Sequence, residues 1–210
     1  MRFSAQQPGA FVRQLAMNIA GLFLYALGLV FTLRSHLGLG PWDVLHQGIT
    51  RHTPLTFGEA SVVVGLVIIV VGLLMGIRPG VGTLLNMVLI GFFFDRILAS
   101  GLVPVPQGWP ARVLLDLVGI VIVGLGSGLY IRSALGAGPR DGLMLGLHRI
   151  TKRRLALVRA CLETVVAVIG FLMGGTAGIG TVIFALGIGP AVEVGFRVFR
   201  VPSQREVEHA

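Results

Sequence analysis

One cysteine, one lysine and a charged fraction of only 12% set the first limits on this 210-residue chain. With Cys161 alone no internal disulfide forms, and its position in an apolar segment predicts a small buried residue. So little charge against 54% hydrophobic residues excludes an ordinary water-facing surface. Polar and apolar residues do not alternate either. Positions 62–71 are Val, Ile, Leu and Gly throughout, a pattern that excludes a β-barrel and leaves helices.

Catalytic signatures are also missing. There is no His-Glu-x-x-His and no Gly-x-Ser-x-Gly, and the lone Lys152 belongs to no phosphate-binding loop. The chain is therefore expected not to be an enzyme and to need no cofactor. Gly124, Gly126 and Gly128 have the spacing of a dinucleotide fingerprint but lie inside an apolar run with no preceding strand. His36, His46 and His52 have spacings that match no metal site. The formal charge of +8 lacks a basic stripe interleaved with aromatics, which excludes nucleic acid. Positively charged cytoplasmic loops explain it more simply.

What is present is a series of apolar runs near the length of a bilayer-spanning helix, about 20 residues for about 30 Å of hydrocarbon. Six are expected, at 15–33, 60–77, 81–98, 113–131, 155–174 and 178–199. The first is too long for a signal-peptide core and has no small-residue cleavage pattern after it, so it reads as a retained span. A polar tail at 1–10, a Pro-rich linker at 100–112 and a polar tail at 200–210 bound two membrane units, 11–99 and 113–199. The short connections near 78 and 176 predict antiparallel hairpins. Gly72, Gly76 and Gly80, with Gly170, Gly174 and Gly178, have the small-xxx-small spacing of close helix packing.

The two units are copies. Arg34, Ser35, Leu37, Gly38, Gly40, Pro41, Asp43, Leu45 and Gly48 recur 98 residues later as Arg132, Ser133, Leu135, Gly136, Gly138, Pro139, Asp141, Leu143 and Gly146. The same spacing carries Met75-Gly76 onto Met173-Gly174, and Gly80, Gly82 and Thr83 onto Gly178, Gly180 and Thr181. Three crossings per copy invert the second relative to the first, as in many transporters. Thirteen Lys and Arg then fall inside against four outside, in accord with the positive-inside rule and with both termini cytoplasmic. Four crossings per copy give the same tally, so charge does not separate the plans. Ten helical residues from Pro41 reach only about 15 Å. The expected fold is therefore all-α and polytopic: two inverted three-span repeats, each with a short motif helix.

Gly40-Pro41-Trp42-Asp43 and Gly138-Pro139-Arg140-Asp141 read as helix starts, with proline in the first turn and an acid facing the positive end of the helix dipole. Each short helix can lie flat at the interface or enter the membrane. If both enter from opposite faces, their N-termini meet near the midplane and can hold a polar or anionic solute. Candidate site residues are Arg34, Gly40, Pro41, Asp43, Arg132, Gly138, Pro139 and Asp141. The two arginines either pair with the aspartates or snorkel to the interface. Glu163, near the middle of its span, joins the set, although Arg159 four residues earlier offers an intrahelical partner. Asp116 stands where the first copy has Asn18, and Glu193 where it has Asp95, which predicts polar contacts inside the bundle.

At these residues the chain resembles the YczE/YyaS/YitT family of bacterial membrane proteins. The likeness is carried by Gly38-Leu-Gly-Pro-Trp-Asp-Val-Leu45, by Gly136-Ala-Gly-Pro-Arg-Asp-Gly-Leu-Met144 and by the two Gly-x-Gly-Thr turns, in order over most of the chain. It implies the bacterial cytoplasmic membrane and brings no activity with it. Two readings stay open: a transporter or exporter of a small polar or anionic solute, and a non-transporting scaffold or regulator of a partner protein. The partners expected are the lipid bilayer and a small-molecule solute, and the pattern is compatible with a homo-oligomer.

Overall fold

The computed structural model describes residues 8–201, and the ends of both expected tails lie outside it. Among the described residues there are eight helices and no strand: α1 (Pro8–Ser35), α2 (Pro41–Thr50), α3 (Phe57–Leu74), α4 (Val81–Ala99), α5 (Trp109–Arg132), α6 (Pro139–Thr151), α7 (Leu155–Leu172) and α8 (Ile179–Val198). Six are long and apolar enough to cross a membrane. The other two, α2 and α6, begin at the motif prolines after Gly40 and Gly138. Two boundaries move from expectation for the same reason. Pro8 and Pro110 sit in the first turns of α1 and α5, where a missing N–H costs nothing, so those helices start earlier than 15 and 113. At α3, a capping box joins Thr56 and Glu59 and starts the helix three residues before position 60.

The centre of the bundle is the pair α1 and α5. Gly21 lies on Gly126 and Gly28 on Gly119. Sequence number rises along one helix as it falls along the other, so α1 and α5 are antiparallel. By contrast Gly124 packs on Ala191 and Gly128 on Gly195, so α5 and α8 run parallel. These directions are those of three crossings from α5 to α8; a fourth, through α6, would turn α8 the other way. Leu22, Ala26, Leu29, Val30, Ile120 and Val123 fill the space between.

Polar groups inside the α1/α5 contact are paired, as Asn18 and Asp116 predict. Asn18 donates its amide to Ser133 Oγ at 3.0 Å, and Ser35 Oγ donates to Asp116 Oδ1 at 3.3 Å. The matched Asp95 and Glu193 differ. Asp95 accepts from Thr56 Oγ1 and Gly58 N at the start of α3, while Glu193 pairs with Arg197 on an exposed face. A buried carboxyl at 116, with Oδ2 unpartnered, carries more desolvation than the amide accepted at 18. Asp116→Asn is expected to raise stability by about 1 kcal/mol, read as a higher midpoint of thermal unfolding in detergent.

Three expectations are corrected. The second hairpin does not form as a packed pair: α3 packs along α4, but α7 does not pack along α8. In the first copy Gly58 and Gly65 let α4 approach through Gly91 and Met87. The position matching Gly65 is Glu163, and α7 packs along α2 instead. Next, Gly72, Gly76 and Gly174 do not bring helix backbones together: Gly72 and Gly76 have no close neighbour, and Gly174 meets only the Arg51 side chain. With φ of 77° and 87°, Gly76 and Gly174 end α3 and α7 in the left-handed region, while Gly80, Gly170 and Gly178 do press on other segments. Finally, Cys161 is exposed, on the outward apolar surface with Leu157 and Val165, because only one face of α7 meets protein.

Candidate functional site

The Ser-x-Leu-Gly-x-Gly-Pro segments fold alike. His36 and Ala134 both sit at φ near 56–57°, and Gly38 and Gly136 at 123° and 128°. Each loop is held by the opposite copy: Gly82 N donates to Leu135 O and Gly180 N to Leu37 O, both at 2.8 Å. The loops thereby aim the N-terminus of α2 at that of α6. The Arg140 guanidinium stacks 4.9 Å from the Trp42 ring centroid, and these two residues occupy matched positions.

Around this contact the chemistry is polar and buried. Arg140 Nη2 lies 3.4 Å from His46 Nε2. An arginine only donates, so Nε2 accepts and the ring proton belongs on Nδ1, which faces Asp43 Oδ1 at 3.3 Å. Asp43 and His46 are 3% and 1% exposed. On the other side, Tyr130 Oη donates to Asp141 Oδ2 at 3.4 Å, and the Tyr25 ring meets the Tyr130 ring edge-on. Phe57 lies edge-on to His46 and stacks on Phe94, which walls the site from the membrane. A void of about 10 Å³, room for a single water, touches Asp43, His46, Ser61 and Arg140.

Of the nine candidates, Asp43 lies beside His46 and Asp141 beside Tyr130; Gly40, Pro41, Gly138 and Pro139 form the two helix starts, Gly40 against Phe184 and Gly138 against Asn86. Arg34 and Arg132 do not pair with the aspartates among the described residues. Arg34 donates to the Leu98 carbonyl at 3.5 Å and Arg132 to the Arg200 carbonyl, each reaching the end of a neighbouring long helix. Glu163 accepts from Arg159 at 2.9 Å on its own helix. Four residues outside the candidate set also build the site: Trp42, His46, Arg140 and Tyr130. For Trp42 and Arg140 the signal was the mismatch inside the repeat, an aromatic and a cation at equivalent places; His46 and Tyr130 stand opposite Met144 and Thr32 and carried none. Of the other histidines, His36 lies in the exposed turn, and His52 Nε2 is 3.1 Å from the Met173 carbonyl.

The two copies are packed differently. Residues 37–44 are buried without a break. Gly170 and Gly175 of the second copy lie against the Val44–Leu45 backbone, Thr176 O accepts from Leu39 N at 3.1 Å, and Thr176 N donates to Gln47 Oε1 at 2.6 Å. The matching stretch 135–142 is mostly half-buried. Its residues 135–139 and Gly142, but not Arg140 or Asp141, line a cavity of about 1180 Å³ together with Phe11, Gln14, Ile68, Ile77 and Arg78.

Residues 12–197 match the family described as a family of unknown function, DUF6198. Two relatives are 35% identical: an uncharacterized protein of Haemophilus influenzae (86% of this chain, 82% of that one) and the uncharacterized membrane protein YczE of Bacillus subtilis (80% and 78%). The chain belongs to the YczE/YyaS family. The uncharacterized B. subtilis protein YyaS is 23% identical over 78% of this chain and 82% of its own. No solved structure matches. Six apolar helices and membership of the YczE/YyaS family make this a multi-pass membrane protein, whose outer apolar residues, such as Leu74 and Leu186, contact lipid.

Proposed function

We propose that the protein is a transporter of a small polar or anionic solute in the bacterial cytoplasmic membrane, built from two inverted repeats. The observation that carries the reading is the reciprocity across α1 and α5: Gly21 on Gly126 and Gly28 on Gly119, where 21 matches 119 and 28 matches 126. Equivalent helices that run antiparallel are related by an axis lying in the membrane plane, the plan of many secondary transporters, with the site at the repeat interface. The Trp42–Arg140 contact lies on that axis. One motif copy is shut, while the loop and helix start of the other border a cavity that stops short of Arg140 and Asp141, an asymmetry in keeping with alternating exposure of a central site.

Sidedness follows from charge. The cavity opens beside Arg78 and the start of α1, the face to which the three-crossing plan assigns most of the described Lys and Arg and which the positive-inside rule makes cytoplasmic. His52 and Ile150 are exposed counterparts at the far ends of α2 and α6. Single cysteines at these two positions in a Cys161→Ser background are expected to react with an impermeant maleimide from opposite faces of oriented vesicles, Ile150→Cys from the cytoplasmic face. Reaction of both from one face would remove the inverted plan and leave the scaffold reading.

A further inference from the structure

We propose that the 1180 Å³ cavity binds an organic anion with an apolar body, its acidic group directed to Arg78 at the mouth; this names the solute class of the transport reading and rests on it. The volume is the first argument. Pockets for organic ligands run from about 300 to 1,000 Å³ and are mostly apolar with a few placed polar groups, whereas an inorganic ion needs neither the space nor the walls. Here the walls are Ile68, Ile69, Ile77, Leu143 and Leu145. A polar solute without an apolar part would lose its water against them and gain nothing in return.

Charge is the second argument. Among the lining residues Arg78 is the one charged side chain, and no carboxylate is present. An organic cation would enter with no counter-charge and a like charge at the mouth. Arg78 has no ion-pair partner among the described residues, and it is exposed. The Thr83 hydroxyl is already given to Ala137 O at 2.7 Å, so it adds no free donor. Gln14, whose amide oxygen is buried without a partner, can meet a hydroxyl or N–H on the solute.

The closed copy supplies the third argument by contrast. There the counterpart of Arg78 is Thr176, whose backbone N–H and C=O are both used to hold the motif segment, one of them through Gln47. In the open copy the counterparts of Thr176 and Gln47 are Arg78 and Leu145. The Gln47 side chain that accepts from the latch is replaced by the apolar Leu145, and position 78 adds a cation, the two groups an amphipathic anion recognises.

The test uses the protein in lipid nanodiscs and 4-phenylbutyrate as probe, with 4-phenylbutylamine and inorganic phosphate beside it, each corrected for empty nanodiscs in equilibrium dialysis. Saturable 4-phenylbutyrate binding, at least tenfold tighter than the amine, is expected. Arg78→Gln should weaken it tenfold or more. Gly72→Leu, whose Cβ has room at 3.9 Å from its nearest neighbour, puts a side chain on the cavity wall and should weaken it at least threefold, and an unchanged unfolding midpoint will show that both variants fold. Equal binding of the amine, binding of phosphate alone, insensitivity to both substitutions, or a phospholipid seen by native mass spectrometry that the probe does not displace would each overturn the proposal. Counterflow in proteoliposomes separates the two readings. Probe binding without probe counterflow keeps the site and rejects transport; phosphate counterflow without probe binding rejects the site and keeps transport.

Discussion

Gly126→Val is expected to prevent the protein from folding. A Cβ at position 126 would lie 2.6 Å from Tyr25 N and 2.8 Å from Gly21 O. Both are backbone atoms of α1 in mid-helix, so neither can rotate away as the end of a side chain would. Relief requires α1 and α5 to separate, and that contact carries the two Asn18–Ser133 and Ser35–Asp116 pairs and the central apolar layer. The cost is at least about 3 kcal/mol, the upper part of the overpacking range, in a bundle where backbone approach, not a hydrophobic drive, holds helices together. The measurement is fluorescence-detected size exclusion of the solubilised variant, where loss of the monodisperse peak is expected. Gly72→Ala is the control. Only the Ile77 Cβ lies within 4 Å of a Cβ there, at 3.9 Å, and replacing a helical glycine gains about 0.5–1 kcal/mol. If Gly126→Val purifies with an unchanged midpoint, the close α1/α5 contact is not what holds the bundle.

The spans were legible because apolar length is a local property, and the motif helices because Gly-Pro-x-Asp is a local start signal. Pairing was harder. A short connection at 174–178 suggested a packed hairpin, yet α7 packs along α2, and the close contact that Gly65 makes in the first hairpin has no counterpart at Glu163. Gly76 and Gly174 fit a packing spacing but act as left-handed helix ends, a distinction that depends on backbone angle rather than residue type. The aspartates were placed at the site and their supposed arginine partners were not. Arg34 and Arg132 found nearer acceptors in the carbonyls at the ends of α4 and beyond α8, where four backbone oxygens have no partner within a helix. Trp42, His46 and Arg140 meet across the axis from positions 94 to 98 apart, and nothing local announces such a contact. The copies had to be superposed first.

Gly175→Ile is expected to open the closed side. The two copies use opposite size pairings at the same place: Val44 packs over Gly175, whereas its counterpart Gly142 faces Ile77 with 3.7 Å between the added Cβ and the Ile77 side chain. Putting the counterpart's isoleucine at 175 drives a branched side chain into the Val44 carbonyl, the nearest atom to a Cβ there. Because that neighbour is backbone, α2 must lift from α7 and the Leu39–Thr176 and Gln47–Thr176 hydrogen bonds must break. Val44, 0% exposed, becomes accessible. In a Cys161→Ser, Val44→Cys protein, thiol labelling is expected to accelerate at least tenfold when Gly175→Ile is added. The transport reading demands more than this. If one site is exposed to alternate sides, opening the first copy must close the second, so labelling at Leu143→Cys in the large cavity should slow in the same background. Faster labelling at 44 with no change at 143 would mean that the two sides open independently, which leaves a channel or a scaffold and not a carrier.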